Sequence, residues 1–152
     1  MESELALLSR WLHIGTAIVL LGGSVFLRFV VLPAAERLTS EASETLRERV
    51  RATWKLFVHA GVALLLVSGL YNYLAVQAPK LKGKPSAGLY HALMGTKILV
   101  ALAVFFLVEA LVGRATAFEG LRQKSKLWLG IVILLGAIIV AISGFLKMNP
   151  WE

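Results

Sequence analysis

Polar and apolar positions do not alternate along this chain; they fall into blocks. Four apolar blocks run from about Trp11 to Leu32, Leu56 to Val76, Leu89 to Val112 and Leu127 to Leu146. Each has the ~20 residues that a helix needs to cross a hydrocarbon layer. None shows the period-two pattern of a half-buried strand, which sets aside a β-barrel. The pattern predicts an all-α fold with one domain over residues 1–152: an integral-membrane up-down four-helix bundle with four transmembrane helices. Trp11, Trp54, Tyr90, Trp128 and Trp151 fall near block ends, where amphipathic rings settle at lipid headgroups.

The polar segments between the blocks set the expected orientation. Residues 36–53, ERLTSEASETLRERVRAT, mix Glu and Arg with widely spaced leucines and predict a surface helix leading into the second span. The stretch PKLKGKPSAG, with two prolines and three lysines, predicts an exposed turn. With four spans, both termini and the 77–88 loop share one side, with Arg10, Lys80, Lys82, Lys84 and Lys147. The other side carries Arg37, Arg47, Arg49, Arg51, Lys55, Arg114, Arg122, Lys124 and Lys126. The richer side is expected to be cytoplasmic, with both termini on the outer, periplasmic face of a bacterial plasma membrane. The start Met1-Glu2-Ser3-Glu4 lacks the basic n-region of a signal peptide, and the first apolar block is too long for an h-region. The first span is therefore expected to be retained.

Composition agrees with this class and removes others. The chain is 58% hydrophobic and 16% charged, with net charge +7, against about 45–50% apolar and ~25% charged for soluble domains. The excess of Lys and Arg reads as loops facing an anionic leaflet, with the lipid bilayer as partner and no nucleic acid. With no cysteine, disulfides, thiolate nucleophiles and Cys-ligated metals are ruled out. No zinc-protease motif, phosphate loop or serine–histidine–acid set is present.

Ionisable residues within spans are costly and mark candidate sites. Here they are His13, Arg28, His59, His91, Lys97 and Glu109. Depths counted inward from the block ends pair His13 with His91 near the outer side. The same count groups His59 with Arg28 and Glu109 near the cytoplasm. In an up-down bundle helices one and three are diagonal, roughly 12–14 Å apart at ordinary helix spacing. That gap would admit a porphyrin edge-on, with His13 and His91 as axial ligands to haem iron and Lys97 meeting a propionate. Arg28 and Glu109 are expected to pair with each other, or Arg28 to reach lipid phosphates. His59 is a candidate for a second site. A competing set is His13, His91, Met94 and Met148 around copper. Gly15 with Gly22, and Gly61 with Ser68, are spaced at i, i+7 and permit close helix contact or the approach of a flat macrocycle.

The first span, RWLHIGTAIVLLGGSVFLRFVVLPA, resembles the opening helix of the copper-resistance protein D family, through Leu12-His13, Gly22-Gly23 and Pro33-Ala34. The third, YHALMGTKILVALAVFF, resembles that family and the related HemJ-type protoporphyrinogen oxidases, through Tyr90-His91 and Lys97-Ile98-Leu99-Val100. The resemblance implies a four-helix membrane protein binding b-type haem through His13, with Arg28 as the family's late-helix arginine. The expected function is that of a small b-type cytochrome, working in electron transfer or in haem-dependent oxidation with a redox partner or quinol. Copper handling is the alternative, and a structural subunit of a membrane complex, or a homo-oligomer, is a third.

Overall fold

The computed structural model describes residues 4–149 and 151; the Met1-Glu2-Ser3 start lies outside them. Four helices are long and apolar enough to cross a membrane: α1 (Glu4–Ala35), α2 (Ser40–Leu81), α3 (Ala87–Val112) and α4 (Ser125–Met148). No strand occurs among the described residues. Helix α1 packs most extensively on α2, and α3 on α4; α2–α3 and α1–α4 contacts close the ring. Helices α1 and α3 therefore face each other along a diagonal, as the up-down pattern predicts.

The helices outrun the apolar blocks, most of all at α2. Thr39 caps its start by accepting the Ala42 N–H at 3.4 Å, and Glu41 sits in the first turn, where the helix dipole favours negative charge. The mixed-charge segment is thus continuous with the second span. At the far end α2 passes through Pro79, and α1 likewise passes through Pro33. A proline ring clashes with the carbonyl four residues back, here Ala75 and Phe29. Both carbonyls lie in π-helical turns, Asn72–Gln77 and Leu27–Val31, where Ala78 bonds back to Tyr73 and Leu32 to Leu27. The widened turn takes up the proline and the helix continues. The exposed turn therefore shrinks to residues 82–86, where Gly83 takes φ +82°, a conformation open to glycine.

The bundle interior is built in levels. At the end holding the termini, Leu81, Tyr90 and Leu146 form a buried cluster with Tyr73, Met94, Ile142 and Trp151 against it. The Trp151 indole donates to the Leu146 carbonyl at 2.7 Å and meets the Tyr90 ring edge-on at 5.1 Å. In mid-bundle Leu20 fills the space over Gly61, Leu21 that over Gly136, and Trp54 that over Gly23. Trp54, Tyr90 and Trp151 thus pack within the bundle, while Trp11 stays 65% exposed. Gly15 and Gly22 have nothing within 4 Å of a built Cβ, so of the two spaced pairs only Gly61 and Ser68 lie at a helix contact.

Candidate functional site

Between the terminal cluster and the leucine level lies a polar layer. His13 leaves α1 toward α2, and its Nδ1 is 2.9 Å from the Ser68 hydroxyl. Ser68 is buried and gives its one hydroxyl proton to the carbonyl of Leu64, a turn earlier. A hydroxyl that has donated can only accept elsewhere. The His13 contact is therefore Nδ1–H donating to Ser68 Oγ, and a neutral imidazole so bonded leaves Nε2 as a bare lone pair. The carbonyl of Leu65 also faces the imidazole, so α2 presents acceptors to it. Ser9, one turn before His13, donates to the Ser68 carbonyl at 3.4 Å. A Cβ on Gly69 would stand 3.0 Å from His13 Cε1, so glycine there lets the ring lie against α2.

Lys97 of α3 stands within electrostatic range of His13 across the diagonal. It is half-buried, and the ion pairs among the described residues are others: His59–Glu109 and Lys126–Glu36. An ammonium partly out of water with no counter-charge is a place for an anion.

His91 is elsewhere. Its Nδ1 is 2.7 Å from the Tyr73 hydroxyl, and its ring is exposed. Tyr73 lies five residues beyond Ser68 on α2, about 7.5 Å along the axis and well over a third of a turn around it. On α3, Lys97 is the residue within electrostatic range of His13, and His91 is bonded to Tyr73 instead. The depth count goes astray because α1 starts at Glu4, well before the apolar block, whereas α3 starts at Ala87. His13 is thus deep in its helix while His91 is one turn into its own.

The remaining candidates also separate. Met94 packs into the terminal cluster and Met148 is 85% exposed, so His13, His91, Met94 and Met148 do not converge. No group of three or more His, Asp or Glu side chains comes together among the described residues. At the other end His59 Nδ1 and Glu109 Oε2 are 2.6 Å apart, as the shared depth of the two predicts. Arg28 is on a different seam, over the Phe29 ring at 5.2 Å and beside Gly130 of α4, its Nε without a partner. Glu109 has taken the histidine instead of the arginine. Ser9 and Tyr73 were not candidates from sequence, and Ser68 entered only as a small residue spaced from Gly61; its place a few turns into an apolar span was the available signal.

Comparisons with family models, with curated proteins and with solved structures each find no match to this chain.

Proposed function

We propose that this chain is an integral-membrane b-type haem protein in which His13 Nε2 is the axial ligand and Lys97 holds a propionate. The observation that carries the reading is the relay from His13 Nδ1–H to Ser68 Oγ and on to the Leu64 carbonyl. Metal-ligating histidines characteristically donate their other ring N–H to such a partner, which fixes tautomer and orientation. The donor set fits haem on two counts: a neutral imidazole with a free lone pair, and an unpaired ammonium within electrostatic range of it. When bound, haem supplies one-electron redox chemistry. Ser68 holds the ring, Lys97 neutralises the carboxylate, and the leucine level below keeps water from that side.

Residence in a bilayer is supported by surface as well as length. Only 11–22% of each helix's most apolar stretch is buried, and exposed Leu, Ile, Val and Phe occur on all four helices, Ile18, Val67, Leu99 and Leu134 among them, far more than a soluble monomer exposes. The excess of Arg and Lys at the end holding residues 36–55 and 113–126 supports that end being cytoplasmic, with the haem level toward the outside. With His91 bonded to Tyr73 and away from His13, a haem held by His13 would have no second histidine from this chain. That favours haem-dependent oxidation of a small reduced substrate, porphyrin-like or a quinol, over simple electron transfer.

The test is the absorption spectrum of detergent-purified protein from haem-supplied cells, air-oxidised and then reduced with dithionite. A Soret band that sharpens on reduction is the expected result. A featureless spectrum overturns the reading and sends the question to copper analysis. In the haem-loaded protein Ser68→Ala should weaken haem retention tenfold or more, the usual scale for a lost ligand-orienting partner. Ser68→Thr, which keeps the hydroxyl, should retain haem near the wild-type level.

A further inference from the structure

The geometry points to the α2–α3 seam as the interface of a symmetric dimer of this chain. Within the apolar stretches of the described helices, the exposed titratable and hydroxyl side chains are His59, His91 and Thr96, all on α2 or α3. Thr96 is satisfied by its own helix, through the Ala92 carbonyl at 3.0 Å. The two histidines anchor two polar pairs, each bridging α2 and α3. His59–Glu109 has its side chains 46% and 33% exposed, and Tyr73–His91 lies at the opposite end.

Both pairs lie on one surface. His91 and Glu109 are eighteen residues apart on α3, about five whole turns, and so share one line down the helix. His59 and Tyr73, fourteen apart on α2, lie within roughly 40° of each other around the axis. Between the pairs the seam is apolar, with Leu66 and Leu102 exposed and Gly95 open to close approach. Among the described residues, the other outer faces of the bundle carry no such polar pair in their apolar stretches. Lipid would leave both pairs partly unsolvated, whereas a protein surface of matching chemistry would not.

A second copy matches them. A two-fold axis along the bilayer normal preserves depth and sets α2 of one copy opposite α3 of the other. His59 then faces Glu109 of the second copy, and Tyr73 faces His91. The acid sits on one helix and the base on the other, so the patch is complementary to itself, as a two-fold interface requires. Charge complementarity singles out the second copy as occupant. The inference rests on the bilayer reading above and not on haem.

The test uses the absence of cysteine. Two differently tagged full-length chains, one L66C and one L102C, are co-expressed and oxidised in native membranes after a carbonate wash. Counting seven residues in from His59 and from Glu109 puts these positions at one level, so a disulfide joining the two tags is expected. An I18C and L134C pair, on exposed sites of α1 and α4, should give none. In the same assay H59E leaves only carboxylates at that level and should lose most of the cross-link, and H59E/E109H should restore it. Chains that stay in the washed membrane yet do not cross-link, or that cross-link only to another protein, overturn the dimer alone. Chains released by carbonate overturn the bilayer reading and the dimer with it.

Discussion

Replacing His13 with alanine should remove the haem absorbance altogether, while replacing His91 with alanine should leave the Soret band in place. The two substitutions separate two readings of the same histidines. From the sequence they are an axial pair of matched depth. In the structure His13 is held by Ser68 through Nδ1 with Lys97 within electrostatic range, and His91 is held by Tyr73 at the bundle surface. Without His13 no imidazole remains at the level of Lys97, so retention should fall by orders of magnitude rather than by a fraction. Methanol-extracted haem per mole of protein, measured beside the spectrum, keeps loss of binding distinct from a shifted band. Haem loss in His91→Ala as well would restore the histidine pair and require α3 to slide toward its Val112 end by more than a turn. Lys97→Met should keep the Soret position and weaken retention, because it removes a counter-charge and not a ligand.

The fold was legible because its signal is long. Four runs of about twenty apolar residues define helices whatever their details, and loop length makes neighbours antiparallel. What the pattern could not carry was where each helix begins and ends. Glu4 to Arg10 is mixed in polarity yet helical, and Pro79 reads as a stop yet is absorbed by a π turn ahead of it. Each adds a turn or more, and a residue's depth inherits the error. His59 with Glu109 survived: α3 ends with its block at Val112, and the extra turns of α2 from Ser40 lie beyond the level at which the two blocks meet. His13 with His91 did not, because the two helices overrun their blocks unequally. Arg28 was placed at the right depth on the wrong seam: a depth count carries no azimuth. The Ser68 relay lay beyond reach for the same reason, since only the packed bundle shows which serine faces which histidine.

Adjacent glycines should respond in opposite directions. A Cβ at Gly23 would lie 2.1 Å from Trp54 Cη2 and 2.5 Å from Cζ2. The indole is a rigid plane stacked on Phe57 at 5.7 Å between centroids, so it cannot yield by rotating one terminal bond. Gly23→Ala should therefore destabilise by about 3 kcal/mol, the upper part of the range for overpacking. Gly22→Ala meets nothing within 4 Å and should be neutral or gain roughly 0.5–1 kcal/mol from the better helix former. Thermal aggregation of the detergent-solubilised variants, followed by size exclusion, gives the comparison directly. Trimming the indole in a Gly23→Ala/Trp54→Leu double variant should cost less than the sum of the singles, since one steric contact is being removed twice. The same pair bears on the haem reading. Gly22 and Gly15 lie on the outward face of α1, so a Gly22→Leu protein that still holds haem places the macrocycle inside the bundle with His13 and Lys97. A Gly22→Leu protein that folds but loses haem would instead put the macrocycle against the outer face of α1, away from Lys97, and the propionate role would fall with it.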